Sequence, residues 1–134
     1  MTIEELNELR FLITEEKRLL EKIAKTQYFV NSPKAVCAVV GNDRGRVRQY
    51  QTATRELEEV LRGRLCKVSA RARELKNFLD QIKDPIIHEL LELHCVKGHT
   101  WEKITVVMQK RGLFYSASGL SKKCSRYLSK GNDG

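Results

Sequence analysis

"HTWEKITVVMQKRGLFYSASGLSKKCSRYLSK", residues His99 to Lys130, holds two stretches of helical periodicity on either side of a glycine-bearing connection. In the second stretch Ala117, Cys124, Tyr127 and Leu128 lie within about 80° of Leu120 at 100° per residue. Ser118, Lys122, Ser125, Arg126 and Ser129 fall on the opposite side. Six Lys or Arg and no Asp or Glu lie between Lys110 and Lys130. Ser116 can cap this helix, and Tyr115 just before it can staple onto Leu120. The first stretch opens at Thr100, also a capping residue, and sets Trp101, Ile104, Val107 and Met108 on one face. Trp101 is expected to be buried there, its replacement by Ala costing roughly 3–5 kcal/mol.

Upstream, Pro85 suits the first position of a helix capped by Asp84. Ile86, Ile87, Leu90, Leu91 and His94 share one side of it, and it ends at "VKGH". Residues 84–134 therefore read as three short helices in the outline of a helix-turn-helix, with "GNDG" fraying at the end.

Residues 1–83 have a different character. A Thr2-x-x-Glu5 capping box opens a helix to about Phe29, whose apolar positions Leu6, Leu9, Ile13, Leu20, Ile23 and Val30 follow three- and four-residue steps. "NSP" stops it, because a residue before Pro resists the α conformation. The stretch 31–45 reads as a connection, its "AVCAVV" a brief strand or a plug. A second helix covers about Val47 to Lys83, with the stripe Leu57, Leu61, Leu65, Val68, Ala72, Leu75, Leu79 and Ile82. At 1.5 Å per residue it would be roughly 55 Å long and needs a partner along its length. The expected fold is all-α: a long antiparallel helical hairpin over 1–83, then the three-helix unit over 84–134. Two hairpins packing as a coiled coil would give a homodimer.

The chain has 134 residues and a net charge of +8, unevenly placed. Residues 1–43 carry six bases and seven acids, 44–83 eleven and five, and 84–134 eight and five. A basic excess of this kind favours polyanionic partners, nucleic acid first. No apolar run is long enough for a membrane span, and the acidic, amphipathic start is unlike a secretory signal. A cytoplasmic location is expected. The four cysteines form no CxxC pair and are expected to stay reduced as small core-filling residues. Cys95 and His99 have an i, i+4 spacing near His88 and His94, but Gly98 should end their helix, so no metal is expected. No P-loop, nucleophile elbow or HExxH occurs; neither catalysis nor a cofactor is expected.

Hydroxyls, Lys and Arg donate to phosphate oxygens and base edges, while a carboxylate would be repelled by the backbone. Ser118, Ser121, Lys122 and Ser125 are the candidate base-reading residues. Lys110, Arg111, Ser116, Lys123, Arg126 and Lys130 are the candidate phosphate contacts. The segment "DPIIHELLELHCVKGHTWEKITVVM" with "YSASGLSKKCSRYLSK" resembles the helix-turn-helix of sigma-factor region 4, and more closely small phage regulators of the RinA and ArpU kind. Leu90, Leu91, Trp101, Ile104, Met108, Tyr115, Ser116, Leu120 and Leu128 carry the resemblance. The connection "QKRGLF" is longer than the tight turn of that pattern, and Thr105 stands where it has a small residue. The resemblance implies a phage-encoded, sequence-specific regulator of late or packaging genes; the charge and periodicity make double-stranded DNA its expected partner, and host RNA polymerase is a second candidate partner. Two alternatives stand beside it: a small terminase-like DNA-packaging component, and a module that docks on RNA polymerase or a sigma factor without reading DNA.

Overall fold

The computed structural model describes residues 1–131, so the fraying expected over "GNDG" falls, from Asn132 on, outside the described residues. The chain is all-α, 85% helical, with no strand among the described residues. In order, the helices are α1 (Ile3–Asn31), α2 (Pro33–Val40), α3 (Arg44–Asp80), α4 (Pro85–Leu91), α5 (Trp101–Lys110) and α6 (Ala117–Gly131), and a π-helical turn (Glu92–Val96) continues α4. None of them is long and apolar enough to cross a membrane.

Two corrections to the expected elements have local causes. Residues 33–40 form not a strand but a helix, with Val36 buried: Ser32 accepts from the Ala35 amide at 3.3 Å, Pro33 takes the first turn, and Gly41 ends it with φ 89°. Those are ordinary start and stop signals, obscured by three β-branched valines that favour strands. Helix α3 starts at Arg44 rather than Val47 because Asp43 Oδ1 accepts from the Gly45 and Arg46 amides.

The chain divides into two compact units, and both long helices contribute to each. The unit Thr14–Ala70 pairs Leu19 and Ile23 of α1 with Leu61 of α3, Leu65 and Val68 packing alongside. The partners run in opposite senses: Glu15 meets Arg64 at 3.3 Å, Phe29 packs edge-on against Tyr50, and Gln51 donates to the Val30 carbonyl. The seam differs by one position from the expected one. Ile13, Leu20 and Leu57 are about half exposed, while Leu19, Thr26 and Thr54 are buried. At each of those places in α1 an apolar pair (Leu12–Ile13, Leu19–Leu20) offered two candidates, and the 3–4 stepping through Leu9, Leu12, Leu19, Ile23 and Thr26 selects the other member. Thr26 and Thr54 enter the seam without an unpaired hydroxyl, each donating to a carbonyl of its own helix at 2.8 and 2.7 Å.

The other unit, Met1–Ile13 with Arg71–Gly134, does not begin at residue 84. Its core joins Leu6 and Leu9 of α1 and Ala72, Leu75 and Leu79 of α3 to Ile87, Leu90, Leu91, Cys95, Ile104, Met108, Leu120, Cys124 and Leu128. Three helices of 7, 10 and 15 residues bury too little by themselves, and the ends of the two long helices complete the core. Arg71 fastens that edge, its guanidinium 3.4 Å from Glu8, 3.2 Å from Glu74 and 3.8 Å from Glu5.

Trp101 is half-buried rather than buried. Its indole stacks on the His94 ring at 4.1 Å and 17°, and the His94 Nδ1 donates to the His99 carbonyl at 2.9 Å. With one face of the indole on a polar ring and part of it in water, Trp101→Ala should cost about 2 kcal/mol, less than a buried aromatic would. A thermal melt of the variant reads this.

Candidate nucleic-acid interface

Helix α6 is fixed by two local devices and by packing. Ser116 accepts from the Gly119 amide at 3.0 Å and caps its start. Before it, α5 ends in a Schellman motif: the Gly112 amide donates to the Gln109 carbonyl and the Leu113 amide to the Met108 carbonyl, both at 3.0 Å. Gly112 lies at φ 82°, where a side chain is strained. Gly112→Ala should cost about 1–2 kcal/mol, read as a lower urea midpoint at constant m. Third, α6 packs on both α4 and α5, with Leu120, Cys124 and Leu128 at 0–2% exposure.

That burial decides which side faces solvent. Ser118, Lys122, Ser125 and Ser129 are exposed along the outer face, and Ser121 is half-buried at its edge. Among the candidate phosphate contacts Lys110, Arg111, Ser116, Arg126 and Lys130 are exposed, and Lys123 is half-buried. Lys123, Arg126 and Lys130 line a cleft on one flank of α6 together with Tyr115, Tyr127 and Asp84. The Lys123 ammonium stands 5.2 Å from the centre of the Tyr115 ring. The Asp84 carboxylate is committed elsewhere, accepting from the Ile86 and Ile87 amides at 3.0 and 3.2 Å. No ion pair engages Lys123, Arg126 or Lys130 among the described residues. The helix therefore carries a hydroxyl-and-lysine face and, about 90° round its axis, a cationic flank.

Three further features shape the site, two of them from parts of the chain distant in sequence. Arg111 is not free: its guanidinium pairs with Glu89 of α4. The Ser116 hydroxyl is spent as a cap and lies 3.4 Å from the Ser118 hydroxyl. A second cleft brings Met1, Thr2, Ile3 and Glu4 beside Ser125, Leu128 and Ser129. Residues 110–130 contain no acid, yet the fold sets Glu89 on Arg111, Glu4 by the last turns of α6 and Asp84 in the cleft of Lys123, Arg126 and Lys130. The face left open in the first half of the helix is that of Ser118, Ser121 and Lys122, which line neither cleft. Tyr115 and Tyr127, apolar anchors by their spacing, both line the cationic cleft.

The thiols of Cys95 and Cys124 are buried, which pushes both up to about 12. They remain protonated at neutral pH and fill the core behind the exposed face. Comparison with protein-family models, with curated proteins and with solved structures gives no match.

Proposed function

We propose that the chain is a sequence-specific, double-stranded DNA-binding regulator that reads a groove with α6. One observation carries the reading: the helix buries Leu120, Cys124 and Leu128 at 0–2% exposure and turns outward Ser118, Lys122 and Ser125. Short hydroxyls and a lysine can donate to and accept from base edges. The flank of Lys123, Arg126 and Lys130 matches a phosphate strand running beside such a helix. Recognition helices place their amino-terminal half in the major groove, and Ser118, Ser121 and Lys122 in that half of α6 lie outside both carboxylate-bearing clefts. Lys110 belongs with the phosphate contacts. Arg111 and Ser116 contribute only if the Glu89 pair and the cap are exchanged, and we rank them below the others. A phage origin, late or packaging genes as targets, and a homodimer held by the hairpin remain parts of this proposal that rest on the resemblance and the apolar seams.

The test is selection of bound duplexes from a random pool at about physiological salt. An enriched motif is expected, palindromic if two copies bind. A pool that emerges unenriched would overturn base reading.

A further inference from the structure

The arginines of α3 fall into two groups. Between residues 44 and 66 every base is Arg and none is Lys: Arg44, Arg46, Arg48, Arg55, Arg62 and Arg64. Two are engaged, Arg62 by Glu58 at 2.9 Å and Arg64 by Glu15 at 3.3 Å. The other four are exposed, with no ion pair or hydrogen bond to their side chains among the described residues. The acid that precedes them, Asp43, is spent on the Gly45 and Arg46 amides.

Three of the four are aligned. At 100° per residue Arg44, Arg48 and Arg55 lie within about 40° of one another and about 100–140° from the buried Leu61. They form a ridge roughly 16 Å long, ending where Glu59 intervenes before Arg62. Arg46 points to the other side. Like charges at i, i+4, as Arg44 and Arg48 are, repel weakly, and a polyanion laid on the row turns that repulsion into attraction. Arg rather than Lys suits phosphate, because its planar fork donates two parallel hydrogen bonds and is weakly hydrated. A span of this length reaches phosphates on both sides of a groove about 12 Å wide.

We infer that the Arg44–Arg48–Arg55 ridge of the unit Thr14–Ala70 is a second, sequence-independent contact to duplex phosphates. The inference rests on the reading of the chain as a duplex binder but on residues other than those of α6. An acidic protein surface is the competing occupant.

The experiment measures affinity of the full chain for a labelled 40-base-pair random-sequence duplex over a range of salt. Each phosphate contact contributes about 0.9 to the log–log slope. The ridge variant R44Q/R48Q/R55Q should lose about 2.7 of slope and at least tenfold in affinity at low salt. The variant R44K/R48K/R55K should keep most of the slope, and the charge-matched R18Q/K25Q/R46Q should keep nearly all of it. Far-UV circular dichroism checks that helicity is retained. An unchanged slope in the ridge variant overturns the inference; if that variant has also lost binding to polyglutamate, an acidic protein is the occupant. The α6 variant K122E/R126E separates the two readings. If it retains ridge-dependent binding to the random duplex but selects no motif, the ridge stands and the α6 reading falls. If it alone loses binding while the ridge variant is unaffected, the reverse holds.

Discussion

Replacing Lys122 and Arg126 together by Glu should lower affinity for a selected duplex at least a hundredfold, roughly 3 kcal/mol at physiological salt. Both side chains are exposed on α6, one on the hydroxyl face and the other in the cationic cleft. The substitutions replace two donors by two carboxylates against a polyanion, so attraction is lost and repulsion added. Neither residue touches the core, whose members on this helix are Leu120, Cys124 and Leu128. Helicity and melting temperature should therefore stay near those of the parent chain. Titration of a labelled duplex at two salt concentrations reads the loss, and undiminished affinity would remove α6 from the interface.

The second large effect is alkaline. Burial raises Cys95 and Cys124 from 9.0 to about 12, with Cys124 also acting on Cys95 and the Asp84 carboxylate also raising Cys124. In the unfolded chain these thiols ionise near their ordinary value, whereas the native state keeps their protons. The folded pKa lies above the unfolded one. The contribution is thus present in full below about pH 9 and is lost as pH rises toward 12. While both thiols are ionised in the unfolded chain and protonated in the native one, stability should fall by about 2.7 kcal/mol per pH unit. Urea unfolding at pH 8, 9.5 and 10.5 measures the slope. Cys95→Ala with Cys124→Ala lowers stability at every pH but should flatten that dependence; an equally steep fall in the double variant would assign it to other groups. Below pH 9 the same burial leaves only Cys37, half-buried, and Cys66, exposed, open to thiol reagents.

The all-α class was legible because few Pro and Gly interrupt long runs of 3–4 periodicity. Caps were legible for the same local reason: Ser, Thr or Asp at the right position has an amide three residues on to accept from, as Thr2, Asp84, Thr100 and Ser116 do. Where two apolar residues were adjacent, periodicity alone could not choose between them, and Leu19 rather than Leu20 took the seam. The cap at Asp43 carries no periodic signal, because the apolar stripe of α3 begins well after it. The π-helical turn at Glu92–Val96 leaves no signature in apolar spacing, yet it sets where Cys95 enters the core and where His94 meets Trp101.

The candidate interface was legible to the extent that it lies within one helix. Exposure of Ser118, Lys122 and Ser125 follows from the positions of Leu120, Cys124 and Leu128 alone. What escaped was tertiary. Glu89 lies 22 residues from Arg111, and Glu4 comes from the other end of the chain. An acid-free stretch of sequence is therefore not an acid-free surface, and the site narrows toward the start of α6.

The most direct test compares the parent chain with S118A/S121A/S125A on a selected duplex and on its scrambled counterpart. A single neutral hydrogen bond is worth about 0.5–1.5 kcal/mol, so losing three should reduce the ratio of the two affinities at least tenfold. Binding to the scrambled duplex, which depends on Lys and Arg, should hardly change. A ratio that survives loss of all three hydroxyls would contradict the claim that this face of α6 reads DNA.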